Sequence, residues 1–280
     1  MKNVKLILIA VISFFIGCVQ NQPQVKINPN NDIKLLKNYG ITGDNLIFYK
    51  KYYYFSKTES NGISINKLDK NYNLISKKII KTLIEPKKYL INNDHFYLLG
   101  YDNIKQKPVI LDFSLNSFSL LKTVYLGKKY SMPADFFVDK NNIYSAINVF
   151  NKKTKSDIYI YKNTSVFSKI ASTKKELAKF ITPYDNKILV VGNISFTNDD
   201  ILIILINKNG KITKARRIDL GMDDYVNKVS IKNDNIIIYA VSTDNMGAET
   251  DYILTIDKNL NVLKSKKNLE FKELPIKFRT

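Results

Sequence analysis

The feature that most constrains this chain is a periodic recurrence of Asn/Asp-rich clusters, each set between two runs of β-branched and aromatic residues. One series reads ITGDNLIFY, INNDHFYLL, VDKNNIYSA, PYDNKILVV and IKNDNIIIY; it aligns on Asp44, Asp94, Asn141, Asn186 and Asp234, at intervals of 50, 47, 45 and 48 residues. A second reads KLDKNYNLI, ILDFSLNSF, YIYKNTSVF, LINKNGKIT and TIDKNLNVL, on Asp69, Asp112, Tyr161, Asn207 and Asp257, at intervals of 43, 49, 46 and 50. The two series interleave. Asn and Asp tolerate left-handed backbone and hydrogen-bond their own turn, so each cluster predicts a tight hairpin. Two hairpins per period predict four strands, A to D, which in the last unit fall at 228–232, 236–242, 252–256 and 262–265. Such strands cannot cover both faces within one unit, so neighbouring units must stack.

Four strands recurring at ~40 to 50 residues is the pattern of a propeller blade. The expected fold is therefore an all-β β-propeller of five four-stranded blades over residues 33–267, or of six if both ends combine into a degenerate blade; a β-sandwich or a two-domain β protein is the structural alternative. Abundant Tyr (18) and Phe (15) with no Trp favour strand over helix. To close the ring, LEFKELPIKFRT at the C-terminus is expected to lie as a strand beside Asp32–Gly40, protecting both sheet edges. The unit Asp200–Asp244 resembles the repeats of bacterial extracytoplasmic propellers, with Asn207 and Gly210 matching their D/N-x-x-G and Gly221 and Asp224 their G-x-x-D. The Trp that follows the first motif in those repeats is absent. This resemblance implies a fold and no particular activity.

At the N-terminus, Lys2 and Lys5 precede a run from Leu6 to Gly17 that is apolar but for Ser13, as in a signal peptide. It is short of the ~20 residues that cross a bilayer. Its end, Phe15-Ile16-Gly17-Cys18, resembles the lipobox of bacterial lipoproteins, with Phe15 in place of the usual Leu. The resemblance implies cleavage before Cys18, acylation of its thiol and an extracytoplasmic, lipid-anchored protein of the cell envelope, at the outer membrane where there are two. Cys18 is the only cysteine, so no thiol is left for a disulfide. The expected organisation is a signal peptide (1–17), a polar lipidated tether (18–32) and one propeller domain (33–280).

The formal charge of +19 has no long basic tail and no block of five like charges behind it, which points to composition. With the exported address it argues against nucleic acid as a partner. If strand A is innermost, the D-to-A and B-to-C loops share one face, and these loops, expected to be the longer and more irregular set, are the candidate contact surface. There Lys128, Lys129, Lys152 and Lys153 form a basic sector, and Asp199, Asp200, Asp223 and Asp224 an acidic one, a polarity able to orient a charged partner. The reading is a non-catalytic binding or scaffold module for an envelope protein or glycan, tethered to the membrane by lipid and needing no cofactor. In architecture it resembles the propeller lipoprotein that assists outer-membrane barrel assembly, which has more blades. The catalytic alternative is a five-bladed glycan hydrolase or lyase whose paired carboxylates come from Asp135, Glu176 and Asp224, each at the start of an inner strand. No metal site is expected. His95 is the only histidine and reads as a turn residue, and the Asp pairs lack a D-x-D-x-D-G loop, so they read as solvated loop acids. Tyr52 to Phe55, within KKYYYF, read as core on a strand B.

Overall fold

The computed structural model describes residues 29–41 and 45–265. They form a helix, α1 (Pro29–Tyr39), and twenty strands in five antiparallel four-stranded sheets. Blade 1 is β1 (Ile47–Tyr49), β2 (Tyr52–Glu59), β3 (Gly62–Leu68) and β4 (Leu74–Ile80). Blade 2 is β5 (Ile84–Asn92), β6 (His95–Asp102), β7 (Lys107–Ser114) and β8 (Ser119–Tyr125). Blade 3 is β9 (Met132–Asp139), β10 (Asn142–Asn151), β11 (Lys155–Lys162) and β12 (Ser165–Ile170). Blade 4 is β13 (Lys175–Tyr184), β14 (Lys187–Ser195), β15 (Asp199–Ile206) and β16 (Ile212–Ile218). Blade 5 is β17 (Asp224–Lys232), β18 (Asn235–Thr243), β19 (Glu249–Ile256) and β20 (Val262–Ser265). Every sheet is a simple meander, and the five-bladed β-propeller expected from the repeat is the fold observed.

The turns follow the chemistry read from the sequence, with three shifts. Strands A and B are joined by two-residue turns at Asn93-Asp94, Lys140-Asn141, Asp185-Asn186 and Asn233-Asp234, where every residue but Asn141 has a left-handed φ, of 46° to 64°, that matches the twist of a hairpin. In blade 1 the corresponding turn is Lys50-Lys51, with φ of 44° and 68°, and Asp44 lies outside the described residues. At three C-to-D turns the leading Asp69, Asn207 or Asp257 accepts main-chain N–H bonds from the residues two and four further on, at 2.7 to 3.0 Å. Asp112 and Tyr161, in contrast, lie inside β7 and β11, and their blades turn at 115–118 and 163–164.

A second periodicity emerges only in the pairing. The inner strands of blades 2 to 5 each carry a β-bulge, with Lys87, Ala134, Lys179 and Asn227 left unpaired, at intervals of 47, 45 and 48 residues. Opposite the bulge the strands approach closely. A Cβ on Gly192 would stand 2.0 Å from the Leu177 carbonyl oxygen, and one on Gly100 2.6 Å from that of Glu85. Both positions require glycine for space.

The core is a series of inter-blade layers. Ile63 and Ile65 of blade 1 pack on Phe96 and Leu98 of blade 2; Leu99 and Ile110 pack on Phe136 and Ile147 of blade 3. Ile158 and Ile160 meet Val190 and Ile204 of blade 4, whose Val191 and Ile203 meet Val229 and Ile238 of blade 5. A strand between two blades is buried on both faces, which is why Ile201–Ile206 is one continuous apolar run. On the other face of blade 1 the partner is different. Asp32–Gly40, expected as a strand, is helical: Pro29 starts α1, Leu35 and Tyr39 recur at helical spacing, and Gly40 (φ +68°) ends it. Leu35 packs with Phe55, Leu68 and Tyr72 on the outer face of blade 1. Helix α1 also straddles residue 32, where the tether was expected to give way to the domain. Cys18 and LEFKELPIKFRT lie outside the described residues.

Candidate functional site

The loops of the D-to-A and B-to-C face are short. The former are 81–83, 126–131, 171–174 and 219–223, and the latter 60–61, 103–106, 152–154, 196–198 and 244–248. Most exceed the two-residue A-to-B turns, 60–61 being just as short, and only the six-residue 126–131 exceeds the C-to-D turns, which reach five residues, so the expected contrast between long and tight faces is not present. Lys128 and Lys129 stand on loop 126–131, Lys152 and Lys153 on loop 152–154, and all four are exposed. Beside them at the same end of blade 3, Tyr130 (61%), Met132 (42%) and Phe150 (47%) are exposed as well. Met132 pairs with Asn148, two residues before Phe150, which places both at the mouth of the sheet. Sequence reasoning found the lysines but missed these apolar neighbours, whose signal was an aromatic or Met next to a loop of like charge.

Nearer the axis, Lys179 is the bulged residue of β13, and partial desolvation together with repulsion from Lys87, the bulged residue of β5, holds its amine below the ordinary lysine value. The same structural position in two blades thus brings two cations near one another. The wall below holds a cavity of 170 Å³ of mixed character, lined by Leu90, Phe136, Ile181 and Pro183 together with Asn92 and Thr182. Lys88 is buried in that wall, its Nζ 2.5 Å from Asp135 Oδ1 and 3.1 Å from the Phe136 carbonyl.

The three carboxylates of the catalytic alternative do not occupy one level. Counted from the bulge, Glu176 and Asp224 are equivalent, whereas Asp135 lies four residues further along its strand, ~13 Å at ~3.3 Å per residue. All three are buried. Asp135 bonds Lys88 and accepts N–H bonds from Phe136 (2.8 Å) and Ile181 (3.0 Å), joining the inner strands of blades 2, 3 and 4. Burial pushes its carboxyl above the ordinary range against the pull of Lys88. Glu176 accepts from Ser172 N (3.0 Å) and Asp224 from Leu220 N (2.7 Å), each four residues upstream. Both acids therefore brace the loop that leads into their own inner strand, which gives the G-x-x-D motif a structural meaning.

The acidic sector divides by burial. Asp199 and Asp223 are half-buried and linked, since Asp199 N donates to Asp223 Oδ1 at 3.0 Å. Asp200 and Asp224 are fully buried, and burial raises both carboxyls to about 6. With Asp219 they place one oxygen each within 4.8 Å of the others, the one acid cluster of metal-ligand geometry among the described residues. Arg217 sits against them, its guanidinium 4.3 Å above the Phe196 ring. The adjoining loops border a groove of 540 Å³ lined by Met222, Ser242, Asp244, Met246 and Tyr252. His95, the first residue of β6, is 2.6 Å from Asp112 and stacks on Tyr97, a local pair at the opposite face.

No protein-family model matches the chain, and no curated protein matches its sequence. Among solved structures it is similar to a puromycin hydrolase (S511A mutant complexed with PGG), with a TM-score of 0.52 and 6% identity, covering 78% of this chain and 38% of that one. The Dos1 propeller gives 0.51 and 13%, covering 80% and 58%. The likeness is one of fold alone. Dihydro-heme d1 dehydrogenase NirN in complex with DHE also aligns, at 0.49 and 12%, covering 76% and 44%. The chain spans less than two thirds of each of these structures.

Proposed function

We propose that this propeller is a lipid-anchored, non-catalytic binding module of the bacterial cell envelope, which holds an anionic protein or envelope glycan against the loops of blade 3. The observation that carries this reading is the joint exposure of Lys128, Lys129, Lys152 and Lys153 with Tyr130, Met132 and Phe150. Exposed aromatic and Met side chains supply desolvation energy at a contact, and the surrounding cations steer and orient the partner. Burial of Asp135, Glu176 and Asp224, each with a structural hydrogen bond, supports binding over glycan cleavage, because a general acid or nucleophile must reach its substrate.

Anchoring and binding are tested separately. Cys18→Ser is expected to release the protein from membranes and abolish incorporation of labelled palmitate; a variant that stays membrane-bound removes the anchor from the proposal. Charge reversal of all four lysines to Glu is expected to abolish capture of the partner cross-linked to the wild type in its native envelope. Undiminished capture would reject the blade 3 surface.

A further inference from the structure

The buried acids between blades 4 and 5 are not neutralised by the side chains around them. Asp200 and Asp224 are fully buried and Asp219 half-buried, yet the cation paired with this group among the described residues is Arg217, whose Nε is 2.5 Å from Asp200 Oδ2 and whose Nη2 is 3.4 Å from Asp219 Oδ2. Three ionised carboxylates against one guanidinium leave a formal charge of −2, two of the three acids being fully buried, and an uncompensated buried charge is strongly unfavourable.

An independent observation comes from a neutral side chain. Asn193, 3% exposed, donates through Nδ2 to the main-chain oxygens of Asp224 (2.5 Å) and Asp200 (3.3 Å), which fixes the amide against both acids. Its Oδ1 then accepts no hydrogen bond, and neither does Asp200 Oδ1, while Asp224 has only the neutral donors Leu220 N and Ser242 beside it. Buried oxygens without donors are rare in folded proteins and call for a partner, and beside carboxylates in excess a cation supplies both the contact and the charge.

We propose that Asp200, Asp219 and Asp224 form a binding site for a hard divalent cation, calcium, at the junction of blades 4 and 5. Calcium binds oxygen at 2.3 to 2.6 Å in variable geometry, so two ligands on opposite sides of it stand ~4.8 Å apart, the outer limit of the spacing here. An all-oxygen donor set of this kind suits calcium or magnesium, not the softer transition metals. Asp219, on the solvent side, gives the ion its route in, and waters complete the shell. The loop 219–223 that carries Asp219 also borders the 540 Å³ groove through Leu220, Gly221 and Met222, so the cation would set the shape of that groove. This site does not depend on the blade 3 surface proposed above.

The test is a calcium titration of protein first stripped with EGTA, read by calorimetry and by the thermal midpoint. A saturable one-site isotherm and a raised midpoint are expected. Asp219→Asn, a half-exposed loop substitution that leaves the core intact, should weaken binding at least ~10-fold, a loss seen even for residues outside the first ligand sphere. Asp223→Asn should bind as the wild type does. Absence of saturable calcium binding, a response to magnesium alone, or equal affinity in Asp219→Asn would overturn the site.

Discussion

Replacing Lys88 by Met isolates the interaction that ties three blades together at the axis. The substitution keeps the length of the buried stem and removes the ammonium, leaving Asp135 with two main-chain donors, Phe136 N at 2.8 Å and Ile181 N at 3.0 Å. Removing one partner of a buried ion pair destabilises by ~3 to 5 kcal/mol, because the other charge stays behind without its counter-charge. For a domain of this size each kcal/mol lowers the thermal midpoint by ~2 to 4 °C, so a drop of ~6 to 20 °C is expected by circular dichroism. The deficit should depend on pH. Burial already pushes the Asp135 carboxyl above its ordinary range, and loss of Lys88 pushes it further, so the variant recovers as the carboxyl is protonated. Its stability contribution in the variant is present below the unfolded value of ~3.9 and is lost as pH rises through the folded one, making the deficit largest at neutral pH. Adding Asp135→Leu to Lys88→Met should restore much of the loss, since a pair replaced by apolar groups is close to neutral. A deficit of the single variant below ~1 kcal/mol, or a double variant as unstable as the summed singles, would refute the staple.

Two further outcomes test the backbone and the surface. Gly192→Ala places a Cβ 2.0 Å from the Leu177 carbonyl oxygen and should destabilise by ~2 kcal/mol or more in urea unfolding, while Gly247→Ala, at an open turn with φ +80°, should lose only ~1 kcal/mol of backbone strain; equal effects would reject the close approach at the bulge. Lys77 and Ser64 hold the Glu59 carboxyl below its ordinary value, so its contribution exists above the unfolded value of ~4.3 and vanishes as pH falls through the folded one. The midpoint difference between wild type and Glu59→Gln should therefore shrink below pH ~4, and a difference that grows there would reverse the assignment.

What could be read from the residues was local. Turn clusters reported the hairpins, because Asn and Asp reveal left-handed backbone in the sequence itself, and they failed where other residues took that conformation: Lys50-Lys51, both at positive φ, carry no such signature. Strand B of blade 1 was legible through Tyr52 to Phe55, since apolar rings need a core. The helical α1 was hidden by its shortness, and its Pro29 and Gly40 punctuation is visible only once a helix is considered. At the candidate site the basic loops were legible as charge, whereas the exposure of Tyr130, Met132 and Phe150 depends on which neighbours cover them.

The acids show the division most clearly. Asp200 and Asp224 look like solvated loop carboxylates in a linear reading, and Asp135 looks equivalent to Glu176, but pairing register puts the first two in a buried cluster and moves Asp135 four residues along its strand. By itself the sequence determined the repeat, the blade count and the turn chemistry, because these rest on periods and conformational preferences carried within a few residues. Only the tertiary structure decided which charges are buried, which meet across blades, and which remain free to meet a partner, because burial and pairing are properties of two segments at once.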